Sequence, residues 1–138
     1  MGPRAWRCNA EACREGITDL HFLPRRFTPQ VVRLVVDPGR PGAYALGHSR
    51  EGQFEIGYVG RSDTCLQSRL VAHNYLWRFE YFIFQQAANE CGAYALECEF
   101  WHSFKGQVRN LIHPASPSGS GLGCQYCGFA SNIARFYR

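Results

Sequence analysis

Five side chains near the middle of the sequence, Tyr44, Tyr58, Arg69, His73 and Glu97, are of the types that hydrolysis of a phosphodiester requires. A glutamate carboxylate binds Mg²⁺ or Mn²⁺ through oxygen, and such a cation stabilises the leaving oxygen and the charge of the phosphorane. An arginine fork pairs with a phosphate oxygen. A tyrosine hydroxyl, with Tyr44 the first choice, is suited to take the proton of the attacking water while His73 or Tyr58 positions or relays it. Singly, each is as ordinary as a core aromatic or a solvated surface charge. Their order and spacing make them a candidate site.

Such a site needs elements that bring distant residues together. The segments Gly42-Ala43-Tyr44 and Tyr58-Val59-Gly60 fall on two short apolar runs, Ala43 to Gly47 and Phe54 to Val59, separated by the polar stretch HSREG. That pattern predicts an antiparallel hairpin on which the two phenols converge. Ser62 and Asp63 are good helix N-caps, and Leu66 and Leu70 recur at helical spacing through CLQSRLVAHNYLW, so Arg69 and His73 are expected one turn apart on one helix face. FEYFIF is aromatic and β-branched enough for a third strand, and QQAANECGAYALECEFWHSF has the apolar spacing of a second helix carrying Glu97. Val31 to Val36 reads as a further short strand ahead of the Pro38 to Gly42 break.

The order GAY, YVG, an Arg and a His four residues later, then a helical Glu and the downstream Asn110 resembles the GIY-YIG nuclease superfamily across Pro41 to His113. The resemblance implies an α+β fold in which a small three-stranded antiparallel sheet, flanked by helices, carries the two tripeptides on adjacent strands. It also implies scission of DNA at a metal-bound Glu97, with Tyr44, Tyr58, Arg69 and His73 around it. Ala43 stands where the family has Ile, and HSREGQFEIG lengthens the hairpin. Glu97 is preferred to Glu99 because Phe100 and Trp101 follow it at the family's register.

A second constellation lies toward the C-terminus. Cys124-Gln-Tyr-Cys127 has the spacing of a zinc knuckle, and Cys98 and His102, four apart on the second helix, share a face that can complete a Cys₃His site. His113 competes as a ligand or a supporting hydrogen-bond partner, and Cys8 with Cys13 is a further option. Cys65 and Cys91 read as small buried residues. The ECEFWH, NLIHP and CQYC succession is also similar to a bacterial GIY-YIG subgroup with a zinc-binding tail. A closed four-ligand shell implies structural Zn²⁺, which ties the Ser/Gly-rich loop after Gly106 to the helix.

With 138 residues and 46% apolar content, the chain has material for one core, not two. Residues 1–30 read as an N-terminal extension, 31–113 as the nuclease-like domain and 114–138 as the zinc-binding tail. The net charge of +4 suits a polyanion such as DNA without requiring one. Lacking an apolar run of membrane length or a signal peptide, the chain is expected to be soluble and cytoplasmic, with its seven cysteines as thiols and metal ligands; a secreted, disulfide-bonded domain is the runner-up. The expected function is a metal-dependent DNA endonuclease. The alternative is a zinc-stabilised nucleic-acid-binding module without turnover.

Overall fold

Strand β2 (Gly42–Arg50) and strand β3 (Gln53–Ser62) form the hairpin that the two tripeptides predict, joined through Glu51 and Gly52. Both turn residues have positive φ, 52° and 80°, which gives a two-residue turn the twist the strands need. His48 to Arg50 therefore continue the strand. Register pairs Tyr44 with Gly60 and Leu46 with Tyr58 before a shift at Leu46/Gly47. The structure is a computed structural model and describes residues 23–104, 108–109, 113–118, 120–121 and 123–124; Cys8, Cys13, Asn110 and Cys127 lie outside them.

Strand β4 (Tyr81–Gln86) lies antiparallel along the other side of β2, as FEYFIF predicts. The sheet has four strands, not three, because strand β1 (Arg25–Arg26) pairs with the outer edge of β4, giving the order β1-β4-β2-β3. Two exposed arginines carry no apolar alternation, so nothing local marks them as a strand; β4's free backbone groups supply the pairing. The architecture is α+β, with three helices among the described residues.

Helix α1 (Pro29–Val35) replaces the strand expected over Val31 to Val36. Thr28 caps it, its Oγ1 accepting from the Val31 N–H at 3.2 Å, and Pro29 occupies the first turn, where a missing N–H costs nothing. Those start signals and the burial of Val32 and Val36 at i, i+4 outweigh the β-preference of four valines. Helix α2 (Leu66–Val71) buries Leu66 and Leu70 and ends at Ala72. His73 thus sits just past the helix rather than on it. Helix α3 (Glu90–Phe104) begins where the Asn89 carboxamide accepts from the Gly92 N–H at 2.8 Å; Gln85 and Gln86, expected in this helix, end β4 instead.

Because β2 is central, alternate residues serve opposite faces. Ala43 and Ala45 join Val59, Ile83, Leu96 and Phe100 in the core under α3. Tyr44 and Leu46 join Val32, Leu66, Leu70 and Phe82 in the core under α1 and α2. No helix of the described chain is long and apolar enough to cross a membrane.

Candidate functional site

Tyr44 and Glu97 leave opposite faces of the sheet, so they can meet only around an edge, and β3 is an edge strand. Gly60 makes the passage thin. A Cβ at Gly60 would lie 2.6 Å from Tyr44 Cζ and closer still to its hydroxyl, so no side chain fits between the phenol and the edge. Gly60→Ala should lower stability by about 1–3 kcal/mol, the range for overpacking a buried ring that cannot retreat, read as a shifted urea midpoint at unchanged slope.

At this edge a cavity of about 260 Å³ is lined by Tyr58, Gly60, Arg61, Asp63, Arg69 and Glu97, with Ala115 across its mouth. Three of the five expected residues share it. A neighbouring cavity of about 290 Å³ is lined by Tyr58, Arg69, His73 and Tyr75, so Tyr58 and Arg69 border both. Tyr44 lines neither and is fully buried. Burial pushes its hydroxyl well above the usual phenol range, with the Arg69 hydrogen bond opposing.

Tyr44 instead braces the site. Its hydroxyl lies 2.7 Å from His73 Nε2, and it also accepts from the Arg69 guanidinium, a bond that holds the Arg69 pKa above its ordinary value. The Tyr75 N–H donates to His73 Nδ1 at 3.0 Å, so a neutral His73 carries its proton on Nε2 and donates to Tyr44. Burial and then the Arg69 charge push the His73 pKa down to about 4. A depressed histidine pKa means that the unfolded chain binds the extra proton first, so stability falls as pH drops from about 6.5 toward 4. For this half-buried ring the loss should be about 1–2 kcal/mol after solvent screening, and His73→Gln should flatten that part of a Tm-against-pH curve.

Arg61 was not among the expected residues, yet it organises the carboxylates. Its Nη1 donates to Glu97 Oε1 at 2.8 Å and to the Ala115 carbonyl, its Nε donates to Asp63 at 2.6 Å, and its guanidinium lies 5.2 Å from the centre of the Tyr94 ring. Burial works against this charge, but Asp63 and Glu97 more than offset it and its pKa ends above the ordinary value. Burial likewise pushes the Glu97 carboxyl up, against the lowering by Arg61. The signal for Arg61 was two residues back: on a strand it shares the buried face of Val59.

The second constellation gathers beside the same helix. One ligand atom from each of Cys98, His113 and Cys124 lies within 4.8 Å of the others, a group that can hold a metal ion. His102 Nε2 is 3.6 Å from Cys124 Sγ, and its ring centre is 5.2 Å from that of His113. His102 therefore reaches Cys124 but stands outside the group of three whose ligand atoms all approach one another. His113 Nδ1 lies 2.7 Å from the Pro114 carbonyl, a contact that puts the proton on Nδ1 and makes Nε2 the nitrogen suited to a metal. Burial and the Cys124 thiol push the Cys98 thiol far up, because a thiolate there would be desolvated beside a second sulfur. Cys127 lies outside the described residues, and His113, the competitor from sequence, stands with Cys98 and Cys124. Cys91, expected as a small buried residue, is buried and disulfide-bonded.

Comparison with protein-family models, with curated proteins and with solved structures gives no match to this chain.

Proposed function

We propose that the chain is a GIY-YIG-type endonuclease that hydrolyses DNA phosphodiester bonds at the β3 edge, its Glu97 acting with Mg²⁺ or Mn²⁺. The observation that carries this reading is the meeting of Tyr58, Arg69 and Glu97 around one cavity from three separate elements. The donor set fits the cation: a carboxylate borders a space large enough for the several waters that Mg²⁺ keeps. A bound divalent cation supplies charge neutralisation at the phosphorane and the leaving oxygen.

The chain's own groups do the rest. Arg69, exposed and fixed by the Tyr44 hydroxyl, presents its remaining donors to a phosphate oxygen. Tyr58, half-buried and bordering both cavities, takes the water proton as its phenolate in place of Tyr44, whose hydroxyl is inaccessible. Arg69 lowers the Tyr58 pKa against the larger effect of burial. His73 and Tyr44 hold these groups in place. Arg61 orients the Glu97 carboxylate through Oε1. The Cys98, His102, His113 and Cys124 group holds structural Zn²⁺, whose thiolate and imidazole preference matches these donors.

Nicking of supercoiled plasmid by the purified protein, across Mg²⁺, Mn²⁺ and chelator, tests the reading. Divalent-dependent conversion to open circles is the expected result. A DNA-binding module without turnover is the second reading, favoured by the 2.8 Å Arg61–Glu97 pair, which engages one oxygen of the carboxylate the cation needs. DNA binding with no nicking under any metal decides for it.

A further inference from the structure

Trp77 is the feature that neither the core nor the proposed chemistry uses. It stands in the loop between α2 and β4, 74% exposed, with φ of +76°, a backbone conformation that costs a bulky side chain strain. The other exposed large apolar residues, Leu23 and Leu34, have ordinary φ. Trp77 borders a third cavity of about 260 Å³ together with Arg26, His48, Arg78, Phe79 and Glu80. Two guanidiniums thus stand beside an exposed indole. The one acid in that lining, Glu80, lies 3.2 Å from His48 as its partner.

An unbroken aromatic path joins this cavity to the candidate site. The Tyr58 and Tyr75 ring centres are 5.1 Å apart, Tyr75 and Phe79 5.7 Å, and Phe79 and His48 5.2 Å. The Arg109 guanidinium rides along it, 5.9 Å from Tyr75 and 5.8 Å from Phe79. At one end are Tyr58 and Arg69; at the other are Trp77, Arg26 and Arg78. Phe79 is buried and Tyr75 half-buried, so this path is packed wall, and it is the exposed indole with the arginines beside it that suits a strand whose phosphates meet arginine and whose base lies on a ring. A base inside a duplex has both faces covered by its neighbours, so only an unpaired base can use an exposed indole this way.

We propose that residues 72–80 form a stacking platform for single-stranded DNA, with Trp77 the principal base-stacking residue and Arg26 and Arg78 on the backbone. The inference rests on the nuclease reading for its placement beside Arg69, and it deepens that reading: the preferred substrate has unpaired bases flanking the phosphate to be cut. Binding alone tests it, without added divalent cation so that nothing is cut and the zinc is left in place. Anisotropy is measured with a fluorescein-labelled single-stranded oligothymidylate and with a blunt duplex of mixed sequence. Trp77→Ala should weaken single-strand binding about tenfold or more, the scale of losing one stacked base, and duplex binding less than about threefold. Trp77→Phe should keep single-strand affinity within about threefold of wild type.

Folding is controlled by Trp77→Gly, because glycine accepts positive φ freely. It should lose the same affinity as the alanine variant with a Tm no lower than wild type. Unchanged single-strand affinity in Trp77→Ala overturns the proposal, as does an equal loss on blunt duplex or a Trp77→Gly loss traceable to unfolding. The nuclease reading fails separately: Trp77-dependent binding without divalent-dependent nicking upholds the platform and removes only the catalysis.

Discussion

Glu97→Gln is expected to lower divalent-dependent plasmid nicking by about three orders of magnitude, while DNA affinity without added divalent cation changes by less than about twofold. The size follows from a metal-held charge at the transition state being worth several kcal/mol, and about 4 kcal/mol is a thousandfold in rate. Glutamine is the right replacement because the Arg61 side chain is largely shielded, 12% exposed. Alanine would remove one of its two carboxylate partners and open a hole beside Tyr94, mixing folding with chemistry. Glutamine keeps the volume and can still accept from Nη1, and Arg61 retains Asp63 and the Ala115 carbonyl. The cost in stability should stay near 1–2 kcal/mol, well short of unfolding a domain. Nicking by Glu97→Gln at the wild-type rate would remove Glu97 from the mechanism.

The second large effect is thermal. Cys98→Ala, Cys124→Ala and chelator-stripped wild type should each lose bound zinc and fall in Tm by about 10–20 °C, since several kcal/mol of metal binding is folding free energy in a site absent from the unfolded chain. The cluster joins α3 to a residue 26 positions further along the chain, so the metal closes a long loop. The diagnostic is non-additivity: stripping metal from Cys98→Ala should cost little more, because the ligand and the ion belong to one interaction. Element analysis of protein purified without added chelator checks occupancy, with about one zinc per chain expected. A metal-free protein whose melting is indifferent to Cys98→Ala would make the cluster a patch of packed thiols and imidazoles.

Much of the placement of these groups was legible in the sequence, for identifiable reasons. The hairpin announced itself because two short apolar runs on either side of the polar HSREG stretch are local signals, so the positions of Tyr44 and Tyr58 followed. What failed was long-range or fine-grained. Helix α1 looked like a strand because four valines outweigh one Thr-Pro start signal on propensity, and only packing of Val32 and Val36 tips the balance. Strand β1 could not be seen in two arginines, since its pairing belongs to β4.

The site shows the same division. His73 was expected on a helical face with Arg69; the helix stops two residues earlier, yet the side chain still reaches Tyr44. Tyr44 looked like the proton acceptor because tyrosine type can be read from sequence and burial cannot. Helical spacing favoured His102 as the partner of Cys98, whereas closure of the loop after α3 brings in His113 and leaves His102 beside Cys124. Arg61 was passed over because an arginine after a glycine usually points at water.

The chain that follows α3 touches β3 along its outer side. The Arg109 N–H donates to the Gly57 carbonyl, and the Ala115 carbonyl accepts a hydrogen bond from Arg61. An unguarded outer strand is a template on which a second molecule can add its own backbone, the first step toward aggregation. Here the Gly57 carbonyl already holds the Arg109 N–H, so a second copy would find that rung of the outer strand occupied by the protein's own backbone.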